Sequence, residues 1–258
     1  MDQKISSIGR DCIVSPTAKI EDGVFIGARA VLDAEGIRIR SGARLDSGCI
    51  LGKDVTIGRG AWVRAGSVVL NSVPANAIVE GNPAQVVGYQ PASTRDKVPV
   101  PRLIDVHSLG HLEHRPCMLP LEVGKSALYL MRQVTDPRGS LTVGEVPTEV
   151  PFEPKRYFVV YGVPSSELRG EHAHKECKQF LLCLNGSVRV LLDDGSSRCE
   201  VILDRPEMGV YMPPMTWGTQ YRYSRDAVLL VFASMPYSAA DYIREYEEFM
   251  ALNKLTSK

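Results

Sequence analysis

The stretch Ile39-Arg40-Ser41-Gly42-Ala43-Arg44-Leu45-Asp46-Ser47-Gly48-Cys49-Ile50-Leu51-Gly52-Lys53-Asp54-Val55-Thr56-Ile57 carries an aliphatic residue at every sixth position. Downstream the series continues through Val63 and Val69. Upstream it runs back through Leu32, Ile26, Ile20, Val14 and Ile8, after a slip of one residue near Glu35-Gly36. Four residues beyond most of these lies a second small or branched residue, as at Cys12, Ala18, Val24, Ala30, Ala43, Cys49, Val55, Ala61 and Ser67. A six-residue period fits neither an amphipathic helix nor an alternating strand. It fits a triangular solenoid with one short strand per hexad and three hexads per coil. The aliphatic residue then fills the prism. The second residue stays small because stacked coils bring equivalent positions within about 5 Å of each other. The slip reads as a bulge or a small loop.

The closing stretch has Gly66-Ser67-Val68-Val69, Val73-Pro74-Ala75-Asn76 and Glu80-Gly81-Asn82-Pro83-Ala84-Gln85-Val86-Val87-Gly88. With the hexads, residues 5 to 89 resemble the left-handed β-helix of hexapeptide-repeat acyltransferases. The resemblance implies trimers that bind acetyl-CoA in a groove between subunits. Many members use a histidine as general base, and residues 1 to 106 contain none. Two readings follow for this region. It is a trimerising scaffold, or it is an acyltransferase whose amino-sugar acceptor attacks the thioester with little help from a base.

Residues 90–125 change character. Pro91, Pro99 and Pro101 sit among polar neighbours and mark a linker. His107, His111 and His114 follow, with Cys117 nearby, at spacings that match no standard zinc pattern. They are read as part of a linker. Thirty basic residues balance thirty acidic ones, so no global field favours nucleic acid or an anionic membrane. The first residues lack the apolar core of an export signal, and no segment approaches the length of a membrane span. The six cysteines form no CxxC pair. They are expected to be reduced thiols of a cytoplasmic protein.

From Ala127 onward the sequence reads as short strands and turns. Ala127–Val134 and Tyr157–Val163 are extended, and Asp136-Pro-Arg-Gly139 is a turn. Asn185-Gly186 signals a hairpin between Phe180–Leu184 and Ser187–Leu192. Asp193-Asp194-Gly195 is a second turn, and Ala239–Leu252 has helical spacing. Such closely spaced strands suggest a sandwich or a small barrel. Its chemical centre is Arg169-Gly170-Glu171-His172-Ala173-His174-Lys175. On a strand, His172 and His174 point to one face and enter the barrel together. In metal-binding cupins a glutamate five residues on and a later histidine complete the ligand set. Here those places hold Gln179 and Gly218, a poor metal site. Two neutral imidazoles without a metal suit proton removal and return.

The segments Pro151–Val163, Arg169–Lys175, Gln179-Phe180, Leu184–Ser187, Asp136–Leu141, Val210–Trp217 and Asp241–Phe249 resemble, in order, the dTDP-4-keto-6-deoxyhexose 3,4-ketoisomerases. Some members fuse this domain behind a hexapeptide-repeat unit. The resemblance implies an all-β chain: a left-handed parallel β-helix (1–89), a linker (90–125), and a cupin β-barrel or jelly roll with a C-terminal helix (126–258). It implies proton transfer between C3 and C4 of dTDP-4-keto-6-deoxyglucose, in deoxyamino-sugar and O-antigen or other polysaccharide biosynthesis, without metal or redox cofactor. It assigns His174 as the base and His172 as its assistant at the oxygens. Arg138 and Arg169, with Lys175, would hold the diphosphate. Tyr161, Gln179 and Trp217 would line the pocket. Acetyl-CoA enters only if the first domain is active. Trimers through the β-helix and dimers through the cupin would combine into a hexamer. An acetyltransferase with a sugar-binding cupin, a bifunctional enzyme and a non-catalytic assembly stay open as alternatives.

Overall fold

A computed structural model describes residues 7–90, 102–104, 115–164 and 167–256. His107, His111 and His114 lie outside the described residues, as does most of the expected linker. The chain divides into two compact units, Met1–Pro91 and Ala92–Lys258.

In the first unit each hexad forms a two-residue strand. These are β1 (Ser7–Ile8), β2 (Ile13–Val14), β3 (Lys19–Ile20), β4 (Phe25–Ile26), β5 (Val31–Leu32), β6 (Arg38–Ile39), β7 (Arg44–Leu45), β8 (Ile50–Leu51), β9 (Thr56–Ile57), β10 (Trp62–Val63) and β11 (Val68–Val69). Every third strand pairs in parallel, giving three sheets: β1-β4-β7-β10, β2-β5-β8-β11 and β3-β6-β9. The first sheet is extended by β12 (Ala77–Gly81) and its antiparallel partner β13 (Ala84–Tyr89). Ile26, Leu32, Ile39, Leu45, Ile57 and Val63 are fully buried, as are the small residues Ala30, Cys49, Ala61 and Ser67. The slip places Ile37, also fully buried, where the other coils carry a small residue. Glycine follows the aliphatic position at Gly9, Gly27 and Gly58 for a steric reason. A Cβ at any of them would stand 2.5 Å from a backbone nitrogen of the next coil.

The second unit holds two six-stranded sheets. One has the order β14 (Arg102–Ile104), β23 (Arg198–Leu203), β22 (Val188–Asp193), β25 (Trp217–Tyr221), β20 (Arg169–His174), β27 (Tyr242–Ile243). The other has β15 (Cys117–Pro120), β16 (Ala127–Leu130), β24 (Met208–Met212), β21 (Gln179–Asn185), β26 (Val228–Ala233), β19 (Arg156–Tyr161). Leu128, Leu181, Cys183, Val210 and Val231 of the second sheet pack with Val188, Val190, Leu192, Val201 and Leu203 of the first to form the core between them. A separate hairpin, β17 (Arg132–Asp136) with β18 (Gly139–Val143), turns at the expected Asp136-Pro-Arg-Gly139. The helix α1 (Tyr246–Thr256) closes the chain.

Three expectations change. The segment 90–125 is not all linker: Arg102–Ile104 pairs with β23 and Cys117–Pro120 with β16. Asn185-Gly186 does not make a hairpin, because β21 and β22 belong to different sheets. The turn is tied instead to the β25–β26 loop, where Asn185 Nδ2 donates to the Asp226 carbonyl and Ser187 N–H to Ser224 Oγ. The helix starts at Tyr246 rather than Ala239. Residues 239–241 form a 3-10 turn, and Tyr242–Ile243 pair with His174–Ala173.

Candidate active site

The strand β20 carries both histidines between β25 and β27. Their rings lie 5.0 Å apart, edge to face, so they do share a pocket face. The strand is not regular. Arg169 pairs with Gln220 and His172 with Gly218, so Glu171 is an extra, bulged residue with a φ of +54°. Gln220 and Gly218 are two apart on β25 and face one side. The bulge therefore brings Arg169, three residues before His172, onto the histidine face. Burial alone pushes the Glu171 carboxyl up.

His174 is held at both ring nitrogens. Its Nδ1–H donates to Asp241 Oδ2 at 2.7 Å, and Gln179 Nε2 donates to its Nε2 at 3.1 Å. Asp241 is fixed in turn by the Glu176 N–H on its other oxygen, and the Lys175 N–H donates to its carbonyl. Burial opposes ionisation of Asp241, yet the His174 and backbone hydrogen bonds outweigh it and hold the carboxyl below its usual range. The Nδ1–H of His172 donates to the Gly170 carbonyl at 2.8 Å. Both imidazoles therefore keep their proton on Nδ1 and a basic Nε2. Desolvation lowers both histidine pKa values, and nearby Arg244 adds to the effect. Tyr242 lies against both rings, 4.3 Å from His174 and 4.8 Å from His172.

Gln179 is buried beside His174. A side chain at 218 would collide with Met212 Cε, so the methionine occupies the place where a fourth ligand would project. The donor set at the cupin positions is two imidazoles and an amide. His174, Cys177 and Asp241 do bring ligand-type atoms within 4.8 Å of one another, but Nδ1 and the carboxylate already bind each other. This grouping orients a base.

The remaining expected residues lie elsewhere. Trp217 is buried on the outer side of β25, packed on Tyr246 and Phe249 of α1, and is no pocket wall. Tyr161 alternates with core-packed Phe158 and Val160 and points outward, 73% exposed. Lys175 donates its Nζ to the Ala240 carbonyl and so braces the 3-10 turn. Arg138 sits at the tip of the β17–β18 hairpin, pairs with Asp136 of that hairpin, and has a side chain 90% exposed. Asp241 and Tyr242 were missed as site residues. They lie within a motif read as helix, and nothing local marks a partner 67 residues away.

Residues 124–254 match the family described as "FdtA: WxcM-like, C-terminal", and residues 17–53 match the hexapeptide repeat of succinyl-transferase. Over 118 residues the chain is 43% identical to a TDP-4-oxo-6-deoxy-alpha-D-glucose-3,4-oxoisomerase of Aneurinibacillus thermoaerophilus, covering 46% of this chain and 85% of that protein. A solved 3,4-ketoisomerase from Thermoanaerobacterium thermosaccharolyticum, a double mutant in complex with TDP, is 34% identical. It superposes with a TM-score of 0.51 over 52% of this chain and 97% of that one. Over 92 residues the chain is 35% identical to a 2,3,4,5-tetrahydropyridine-2,6-dicarboxylate N-acetyltransferase of Clostridium perfringens, covering 34% of this chain and 31% of that protein. With a family match across half its length, the chain belongs to the WxcM-like, C-terminal family, here preceded by a hexapeptide-repeat unit.

Proposed function

We propose that the barrel is a metal-independent intramolecular oxidoreductase that converts TDP-4-keto-6-deoxyglucose to its 3-keto isomer. The observation that carries this reading is His174, neutral and locked through Nδ1 to Asp241, with a basic Nε2 beside His172. The C4 carbonyl acidifies the C3 proton, which His174 Nε2 removes once Gln179 yields that nitrogen. Asp241 stabilises the imidazolium that forms. His172 Nε2 serves the sugar oxygens, and His174 returns the proton to C4. Arg169, brought to the same face by the bulge, offers forked donors to the diphosphate.

The similarity of the first unit to N-acetyltransferases favours a second reading, acetyl transfer from acetyl-CoA to an amino sugar. No histidine base is available there, so the acceptor amine would attack unaided. The scaffold role has its own support. Ile13, Val31, Ile50 and Val68 form an apolar ladder along one sheet, with Ile13 54% and Ile50 43% exposed. Self-association through that ladder gives a trimer. Pairing of barrels through the exposed β17–β18 hairpin, with Val134 and Leu141 outward, makes a hexamer and lends Arg138 a partner's pocket. Light scattering that finds a monomer removes this assembly. The isomerase reading is tested by carbon NMR of TDP-4-keto-6-deoxyglucose with the full chain. The carbonyl resonance moves from C4 to C3, and an unchanged spectrum with folded protein rejects the reading.

A further inference from the structure

Arg156 is a cation for which neither the fold nor the base has a use. It begins β19 and faces inward with Phe158 and Val160, which pack on the core. Its Nε is buried and has no hydrogen-bond partner, and among the described residues its guanidinium enters no ion pair. A buried donor without a partner is costly. Aromatic rings, not acids, hold this one. The Cζ lies 5.5 Å from the centre of Phe158 and 5.6 Å from that of Tyr237. Such stacking fixes the plane of the fork and leaves its N–H edges free.

The register places that fork at the histidines. Arg156 and Gln179 flank the same residue, Ala233 of β26, from either side. Ala233 is fully buried and small, so it leaves a gap between the arginine and the amide that touches His174. Tyr237 adjoins Tyr242 at 5.7 Å, and Tyr242 adjoins His174. The other cations of this end differ. Arg169 opens its strand exposed, and Arg244 is exposed over Tyr242; both suit a diphosphate at the mouth.

The geometry points to Arg156 as a catalytic residue that binds the oxyanion formed during isomerisation. This rests on the ketoisomerase reading. When His174 takes the C3 proton, the C3–H electron pair forms the C3=C4 double bond, and the former carbonyl pair leaves its charge on the C4 oxygen. The C3 hydroxyl proton then passes to that oxygen, the C3 oxygen becomes the carbonyl, and His174 returns its proton to C4. The charge moves between two neighbouring oxygens of a planar enediolate. One fork with parallel donors serves both, in a site where water is scarce.

The test is steady-state turnover of TDP-4-keto-6-deoxyglucose by the full chain, with TDP affinity measured by calorimetry on the same samples. Arg156→Lys keeps the charge and loses the fork. It is expected to lower kcat roughly 10²-fold, in line with loss of an oxyanion donor, with TDP affinity unchanged. Added guanidinium ion is expected to restore part of the activity of Arg156→Ala. Normal kcat in Arg156→Lys overturns the assignment. Weakened TDP binding with kcat retained overturns it too, and makes Arg156 a diphosphate anchor. An inert wild-type chain that still binds TDP overturns the underlying isomerase reading instead, and this role with it. Arg156→Lys also covers the case in which the alanine variant does not fold.

Discussion

The two units use their interiors differently. The β-helix repeats one solution along its axis, with aliphatic residues and small partners stacked coil on coil. Its charged residues stay outside, as where Arg44 lies between Phe25 and Trp62 and pairs with Asp46. The barrel has an apolar core that gives way at one end to His174, Gln179 and Asp241, all buried and bonded to one another. Burying such groups is tolerable only when each has a partner. The apolar repeat makes a rigid body. The bonded polar cluster fixes the tautomer of one imidazole.

If that division is right, damage to either unit has its own signature. The largest effect is expected at the base. His174→Gln lowers kcat by about 10²–10⁴-fold, the range for loss of a general base, while the thermal transition of the first unit stays put. A variant that retains activity breaks the contrast. The converse is Leu45→Ala in the β-helix. It opens a cavity at a fully buried position and costs the first unit about 2–5 kcal/mol. Calorimetry should show an earlier transition with isomerase turnover per folded chain unchanged.

Smaller changes sharpen the comparison inside the barrel. Asp241→Asn removes the hydrogen bond and charge that raise the His174 pKa. It should reduce kcat/KM by about 10²-fold and move the acid limb of the pH profile further down. Arg169→Ala removes the forked donor that the bulge brings to the histidine face. TDP binding should weaken ~10-fold, as for one lost charged hydrogen bond; affinity by calorimetry decides. The gentlest effect is on stability. Burial holds both imidazoles below their ordinary range. The unfolded chain therefore takes up protons first, and stability declines as pH falls below 6.5. Urea melts from pH 7.5 to 5.5 measure it. A stability that rises on acidification contradicts the desolvated pair.

These distinctions were unevenly legible. The hexads expose the β-helix because each interior position is set by its sequence neighbours, down to the slip before Ile37. The barrel site depends on pairings across the chain. Gly170, with a φ of +82°, is the one local mark of a bulge beside Glu171, and which residue is the extra one is set only by the pairing with β25. Asn185-Gly186 carries a hairpin signal, yet Ser224 and Asp226 claim the turn. Trp217 sits one residue from Gly218, and alternation sends it to α1 rather than to the pocket. The histidine pair was visible from its spacing of two. Its orienting carboxylate, brought in by a 3-10 turn, was not.

In the proposed reaction His174 moves a proton between neighbouring carbons of a keto-sugar. The most direct test of this step is proton NMR of TDP-4-keto-6-deoxyglucose in deuterated water with the full wild-type chain. The C3 proton signal is expected to disappear, with deuterium at C4 of the 3-keto product to the extent that His174 exchanges its proton with solvent before returning it. A C3 proton that persists unexchanged, with the protein folded and binding TDP, contradicts it.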